Sequence, residues 1–256
     1  MMPLVYFIAL SIIPSIIWLA FFLREDRQPE PKKILLKVFV IGMLSTFPVI
    51  ILSLIIGLAL REMGLPMYLI LFIGVVFVAS IVEEIVKYLV VRHSILNNSA
   101  VDEPSDLMIY AITAALGFAA MENIIFLFPG REALFGTAPP FFIQDLIAGS
   151  IIRFVGATFL HALASGIMGY FLALSITRTK CQKRLVWTGL VIAILLHGLY
   201  NFSIISIESN ESWFVVAPIL LVSIFIAILF LFSRTRKMDS VCEFQNRKNK
   251  NNEKGT

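Results

Sequence analysis

Apolar runs of twenty or more residues alternate with short polar connections along most of the chain. The runs fall at 4–23, 34–60, 68–91, 107–128, 143–175, 185–206 and 213–233. Each predicts a helix long enough to cross a hydrocarbon layer of about 30 Å. The second and fifth exceed that need, which tilt, a kink or an interfacial lead-in accommodates. Pro48 is the expected kink in the second, and residues 141–150 the expected lead-in to the fifth. After residue 233 the pattern stops. The remainder is rich in Asn and Lys and poor in apolar side chains, which predicts a disordered tail. The expected organisation is one transmembrane domain over 1–233 and a basic cytoplasmic tail over 234–256, without internal repeats.

Composition agrees. Apolar residues make up 59% and charged residues 15%, against about 45–50% and about 25% in soluble domains. That excludes a water-soluble globule and predicts an all-α, polytopic bundle of about seven transmembrane helices. The net charge of +4 resides in the tail, which holds seven Lys/Arg and three Asp/Glu. The rest of the chain is neutral, so no nucleic-acid surface is expected. Connections on one side of the predicted spans, with the tail, carry sixteen Lys/Arg, whereas the other side carries Arg61 and Arg131. The positive-inside rule then puts the N-terminus outside and the C-terminus in the cytoplasm. The first run has no positive segment before it and is not read as a cleavable signal peptide. Cys181 and Cys242 fall in segments predicted to be cytoplasmic, so no disulfide is expected.

Several ionisable residues nevertheless fall inside the spans. Lys37 is near a span end and can snorkel. Glu83, Glu84, Lys87, Glu122, Arg153, His161 and His197 have no such escape. A charge at the centre of an inserted helix costs about 2.5–3.5 kcal/mol on insertion scales. Such groups face the bundle interior, pair with one another and mark a functional site. Glu83 and Glu84 stand four and three residues before Lys87, so the ammonium can reach either carboxylate. Two adjacent carboxylates do not both ionise cheaply, which leaves one suited to proton transfer. Glu122 and Asn123 place an acid and an amide side by side in the fourth span. His197 and Asn201, four apart, share a helix face in the sixth. Imidazole and carboxylate together form a donor set for Zn²⁺, which in catalytic sites takes three protein ligands and a water. Gly156, Ala157, Ser165, Gly166 and Gly169 allow close helix approach in the fifth span. A transporter or proton relay built on the same groups stays open at this point.

Four of these motifs resemble those of the PrsW family of intramembrane proteases. Glu83-Glu84-Ile85-Val86-Lys87 looks like its EExxK motif, and Phe118 to Asn123 like its FxxxEN motif. Arg153 with His161-Ala162-Leu163, and His197-Gly198-Leu199-Tyr200-Asn201, resemble its two histidine motifs. All four occur in the family's order inside predicted spans. The related CAAX prenyl proteases of the wider Abi group carry EExxxR, FxxxH and HxxxN/D instead. Here Lys87 comes one position earlier and Glu122 stands where a histidine would be, which favours PrsW.

The resemblance implies hydrolysis of a peptide bond in a membrane-anchored protein, with an anti-sigma factor as the best-known substrate class. It also implies a bacterial membrane location. On this reading Glu83 is the general base on a water, with Glu84 and Lys87 fixing its charge state. Glu122, His161 and His197 hold a divalent metal, expected to be Zn²⁺, or position the water directly. Asn201 donates to the developing oxyanion. Arg153 and Asn123 support the site or bind substrate.

Overall fold

The structure is a computed structural model that describes residues 4–26, 28–96, 98, 100–128, 143–178, 181–207 and 210–238. Among the described residues every regular element is helical. Helix α1 spans Leu4–Phe22 and ends in a 3₁₀ turn, Leu23–Glu25. Helices α2 (Lys32–Leu44) and α3 (Thr46–Glu62) make up the second span. The third consists of α4 (Met67–Phe72), a π-helical stretch (Ile73–Ala79) and α5 (Ser80–Ser94). Then follow α6 (Pro104–Leu127), α7 (Ile143–Val155), α8 (Ala157–Thr177), α9 (Gln182–Ser206) and α10 (Trp213–Thr235). Seven helical segments are long and apolar enough to cross a membrane, as the hydrophobic pattern predicts. The chain is a multi-pass membrane protein.

Two of the segments form the centre. The windows of Pro104–Leu127 and Ile147–Thr177 are 72% and 83% buried, whereas no other exceeds 33%. Apolar side chains on the outer helices, such as Leu58, Leu195 and Phe214, are exposed and form the lipid-facing surface. Association in lipid relies on close packing rather than water exclusion, and small residues supply it. A Cβ on Gly117 of α6 would lie 2.0 Å from the Phe39 carbonyl oxygen of α2. A Cβ on Gly42 of α2 would lie 2.2 Å from the Ala114 carbonyl oxygen of α6. The two backbones touch through this reciprocal pair of glycines.

Both long runs prove to be broken. The second span interrupts at Ser45, whose hydroxyl donates to the Gly42 carbonyl at 2.7 Å. Pro48 lies three residues further on and lacks the N–H that would have bonded the Leu44 carbonyl. The fifth run divides at Gly156 into α7 and α8, and the Tyr200 hydroxyl sits where a Cβ on Gly156 would be, 2.4 Å away. Helix α7 is fastened to α1 by Trp18, whose indole N–H donates to the Phe154 carbonyl at 2.8 Å. The same indole stacks on Phe159 of α8 at 3.9 Å between centroids. At the chain's far end Arg236 donates to the Glu25 carbonyl at 2.7 Å and pairs with its carboxylate. Most of the expected tail, 239–256, lies outside the described residues.

Candidate active site

Helix α5 brings its three ionisable groups to one buried place because spacings of three and four residues share a helix face. Glu83, Glu84 and Lys87 are each at most 6% exposed. The Lys87 ammonium donates to Glu84 Oε1 at 2.8 Å and to Glu83 Oε2 at 3.4 Å. Its third partner comes from α8: His161 Nδ1, at 2.6 Å. An ammonium has no lone pair and can only donate, so this nitrogen is the accepting one. The His161 proton is therefore on Nε2, which donates to Glu122 Oε2 of α6 at 3.1 Å. Above the ammonium lies the Phe118 ring, 4.6 Å away, in a cation–π contact.

His197 of α9 shows the complementary arrangement. Its Nδ1 lies 2.9 Å from Glu84 Oε1, and a carboxylate can only accept, so Nδ1 carries the proton. The lone pair of Nε2 is left free, 3.9 Å from Glu83 Oε2. His161 Nδ1 is also 3.9 Å from that oxygen. The two imidazoles meet edge to face, 5.1 Å between centroids. One donor atom from each of Glu83, His161 and His197 lies within 4.8 Å of the other two. Each histidine is thus backed by its own carboxylate, Glu84 or Glu122; the unprotonated nitrogen of His197 faces Glu83 with its lone pair free, whereas that of His161 accepts from the Lys87 ammonium. His197 thus has the donor state and outer support that metal-binding histidines require, and His161 would share that state once Lys87 released its Nδ1.

Helical geometry also explains how groups from four spans reach one level. Cα–Cβ bonds tilt towards a helix N-terminus. Consecutive spans run in opposite directions, so the Glu83 and His197 side chains lean towards each other from α5 and α9.

Glu122 enters through Arg153 of α7, which pairs with its carboxylate and donates through Nε to Asn123 Oδ1. Asn123, fully buried, donates at 3.1 Å to both the Ser11 carbonyl of α1 and Thr158 Oγ1 of α8. Its neighbour Glu122 is itself held by Arg153 and by His161 Nε2. Asn201 faces the π-helical stretch, where its amide donates to the Val75 carbonyl at 2.9 Å. A wider helical turn disturbs the regular ladder, and such stretches recur at functional sites. A Cβ on Gly198, one turn before Phe202, would lie 3.0 Å from the Val76 carbonyl oxygen. Helix α9 therefore rides directly on this irregular backbone.

Two participants were not legible as such in the sequence. Phe118 reads as packing until its ring is seen against Lys87. Ser165 reads only as a small residue, yet its hydroxyl is buried without a hydrogen-bond partner. It lines a cavity of about 10 Å³ together with Glu84 and Lys87, room for a single water. The signal available beforehand was position: Ser165 stands one turn after His161. A larger cleft of about 590 Å³ opens between α5 and α9, lined by Ile85, Tyr88, Leu89, Arg92 and Trp187 among others.

A family model described as PrsW family intramembrane metalloprotease matches residues 30–232. The chain belongs to the PrsW family. Similar curated proteins agree with this assignment. Protease PrsW of Oceanobacillus iheyensis is 28% identical over 75% of this chain and 80% of that protein. Protease PrsW of Geobacillus kaustophilus is 26% identical over 80% and 81%. Protease PrsW of Clostridioides difficile is 29% identical over 86% and 85%. No solved structure matches. Family membership makes this a bacterial membrane protease, and the four PrsW-like motifs converge on the buried cluster.

Proposed function

We propose that the chain is an intramembrane endopeptidase that hydrolyses a peptide bond of a single-span, membrane-anchored protein at the Glu83–His161–His197 cluster. The observation that carries this reading is that a Glu83 carboxylate oxygen and one nitrogen from each of His161 and His197 lie within 4.8 Å of one another in a buried pocket. Separations of 3.9 Å are too long for direct hydrogen bonds and suit a bridging water or ion. An anti-sigma factor is the substrate class to try first, in line with the motif resemblance.

Glu83 is the proton acceptor by its bonding. Glu84 Oε1 takes two close hydrogen bonds, at 2.8 and 2.9 Å, and Glu122 is held by Arg153 and His161. Glu83 is held only by a 3.4 Å contact with Lys87, so it is the carboxylate most free to take a proton from water. Lys87 binds both adjacent carboxylates and aligns the His161 ring. The second amide hydrogen of Asn201 is the proposed oxyanion donor, its first being used on Val75. Arg153 and Asn123 hold Glu122 in register.

The donor set of one carboxylate and two imidazoles fits Zn²⁺ with a position left for water. Glu83, His161 and His197 are the residues that would hold the ion, with Glu122 orienting the His161 ring from outside; binding would displace Lys87 from His161 Nδ1, and Glu83 would give one oxygen to the ion and keep the other for the proton. Bound there, the ion would polarise the scissile carbonyl and lower the pKa of water.

The test is purified protein in detergent with a panel of single-span peptides that includes anti-sigma-factor segments. Wild type is expected to cleave at least one, and chelator to slow it by about 100-fold or more until Zn²⁺ is returned. Glu83→Gln and His197→Ala should insert normally and be inactive. Cleavage at the wild-type rate by either variant refutes the assignment.

A further inference from the structure

The cleft of about 590 Å³ between α5 and α9 has walls of two kinds. Towards the middle of the two helices the lining is apolar, with Ile85 and Leu89 from α5 and Val186 and Leu190 from α9. At the helix ends stand two exposed cations, Arg92 in the last turn of α5 and Lys183 in the first turn of α9. Ile85 and Arg92 are seven residues apart, as are Lys183 and Leu190. Each wall therefore runs about 10 Å along its helix from charge to apolar end.

Among the described residues these cations are not neutralised. Neither Arg92 nor Lys183 has an ion-pair partner there, and no Asp or Glu lines the cleft. Arg92 turns back along its own helix, its Nη1 3.5 Å from the Tyr88 hydroxyl. The stretch around the start of α9 adds Arg178, Lys180 and Arg184, so positive charge accumulates at this end of the bundle. Trp187, 65% exposed, lies between Lys183 and Leu190 on the same wall. Indole is the side chain that belongs where an apolar layer meets lipid headgroups.

We infer that this cleft binds one anionic phospholipid, its phosphate held between Arg92 and Lys183 and an acyl chain lying along the apolar walls. Charge decides the headgroup, because basic pockets between membrane helices select acidic lipids. The apolar walls decide against a free phosphate ion, which would leave them uncovered. A substrate helix would cover them too, but a span in the same membrane carries its own Lys and Arg at this end, and those would face Arg92 and Lys183. Bound there, the lipid bridges α5 and α9, the helices that carry Glu83 and His197. Tyr88 is a common wall of this cleft and of the small cavity beside Glu84 and Lys87, which puts the lipid one side chain from the buried cluster. Binding needs no proteolysis and stands apart from the proposed reaction.

The experiment places full-length protein in nanodiscs of phosphatidylcholine. A small fraction of the lipid is replaced by phosphatidylglycerol brominated on its acyl chains, or by phosphatidylcholine brominated in the same way. Bromine quenches indole fluorescence on contact, and Trp187 is the reporter. Phosphatidylglycerol is expected to quench at a fraction on the order of tenfold lower than phosphatidylcholine, since each cation adds to the attraction. Trp187→Phe should remove the difference, leaving Trp18 and Trp213 to respond alike to both lipids. Arg92→Gln combined with Lys183→Gln should abolish the preference, whereas Lys33→Gln, exposed on α2 outside the cleft, should keep it. In detergent, added phosphatidylglycerol should raise the thermal midpoint of wild type and not that of the double variant. Equal quenching by the two lipids overturns the proposal and gives the cleft to an uncharged occupant such as a substrate helix. So does a preference that survives in the double variant or in Trp187→Phe, or one that Lys33→Gln also removes. A midpoint raised equally in the double variant would count against it in the same way.

Discussion

Replacing Lys87 by Met tests the electrostatic core of the site without depending on a substrate. The ammonium touches two carboxylates and an imidazole, at 2.8, 3.4 and 2.6 Å, and is 2% exposed. Met keeps the unbranched stem, one atom shorter, but removes the charge and with it the cation–π contact to Phe118. Glu83 and Glu84 are then left as adjacent buried anions. Removing one partner of a buried ion pair costs roughly 3–5 kcal/mol, because the remaining charge is uncompensated. For a chain of this size about 2–4 °C of thermal midpoint is lost per kcal/mol, so the drop should be about 6–20 °C. The assay is thermal unfolding in detergent, followed by loss of the monodisperse size-exclusion peak, with chelator present throughout. The diagnostic partner is the triple variant Lys87→Met, Glu83→Gln, Glu84→Gln. Neutralising the carboxylates removes the stranded charges, and most of the lost midpoint should return. A Lys87→Met midpoint within a degree of wild type would refute the reasoning. A triple variant no more stable than the single one would do the same.

Gly117→Ala should lower cleavage by on the order of 100-fold while the protein still inserts, because a Cβ 2.0 Å from the Phe39 carbonyl oxygen forces α6 away from α2 by about 1 Å, and displacements of that size cost about that much. Initial rates on a cleaved peptide check it, and a wild-type rate would refute the contact. Asn123→Ala should destabilise by about 2–4 kcal/mol, since it unpairs the Ser11 carbonyl, Thr158 and Arg153 in a buried place; unfolding in detergent measures it.

Much of the architecture was legible because oil imposes simple rules. A helix that crosses lipid needs about twenty apolar residues, so the seven runs and their order could be read directly. The expense of burying Glu83, Glu84, Lys87, Glu122, His161 and His197 made them stand out as a group. The i,i+3 and i,i+4 spacings on α5 correctly anticipated which carboxylates Lys87 would touch. The interruptions inside long runs were less legible. Pro48 announced a break, but the interruption settles at Ser45, bonded back to the Gly42 carbonyl, and the division at Gly156 goes with the Tyr200 hydroxyl that α9 presses against it. Hydropathy carries no information on such contacts.

What the sequence by itself determined is the membrane class, the span order and the residue types gathered at the site. What only the tertiary structure decided is which atoms of those residues pair with one another. The reading built on the motif resemblance made Glu122 a metal ligand and Asn201 an oxyanion donor. In the fold, Glu122 receives the His161 Nε2 proton under the grip of Arg153, and one hydrogen of Asn201 is spent on the Val75 carbonyl. The physical reason is that a side chain's role depends on which of its atoms are already hydrogen-bonded. Those partners come from helices 30 to 130 residues away in the chain, placed by close glycine contacts and a π-helical turn that no local pattern encodes.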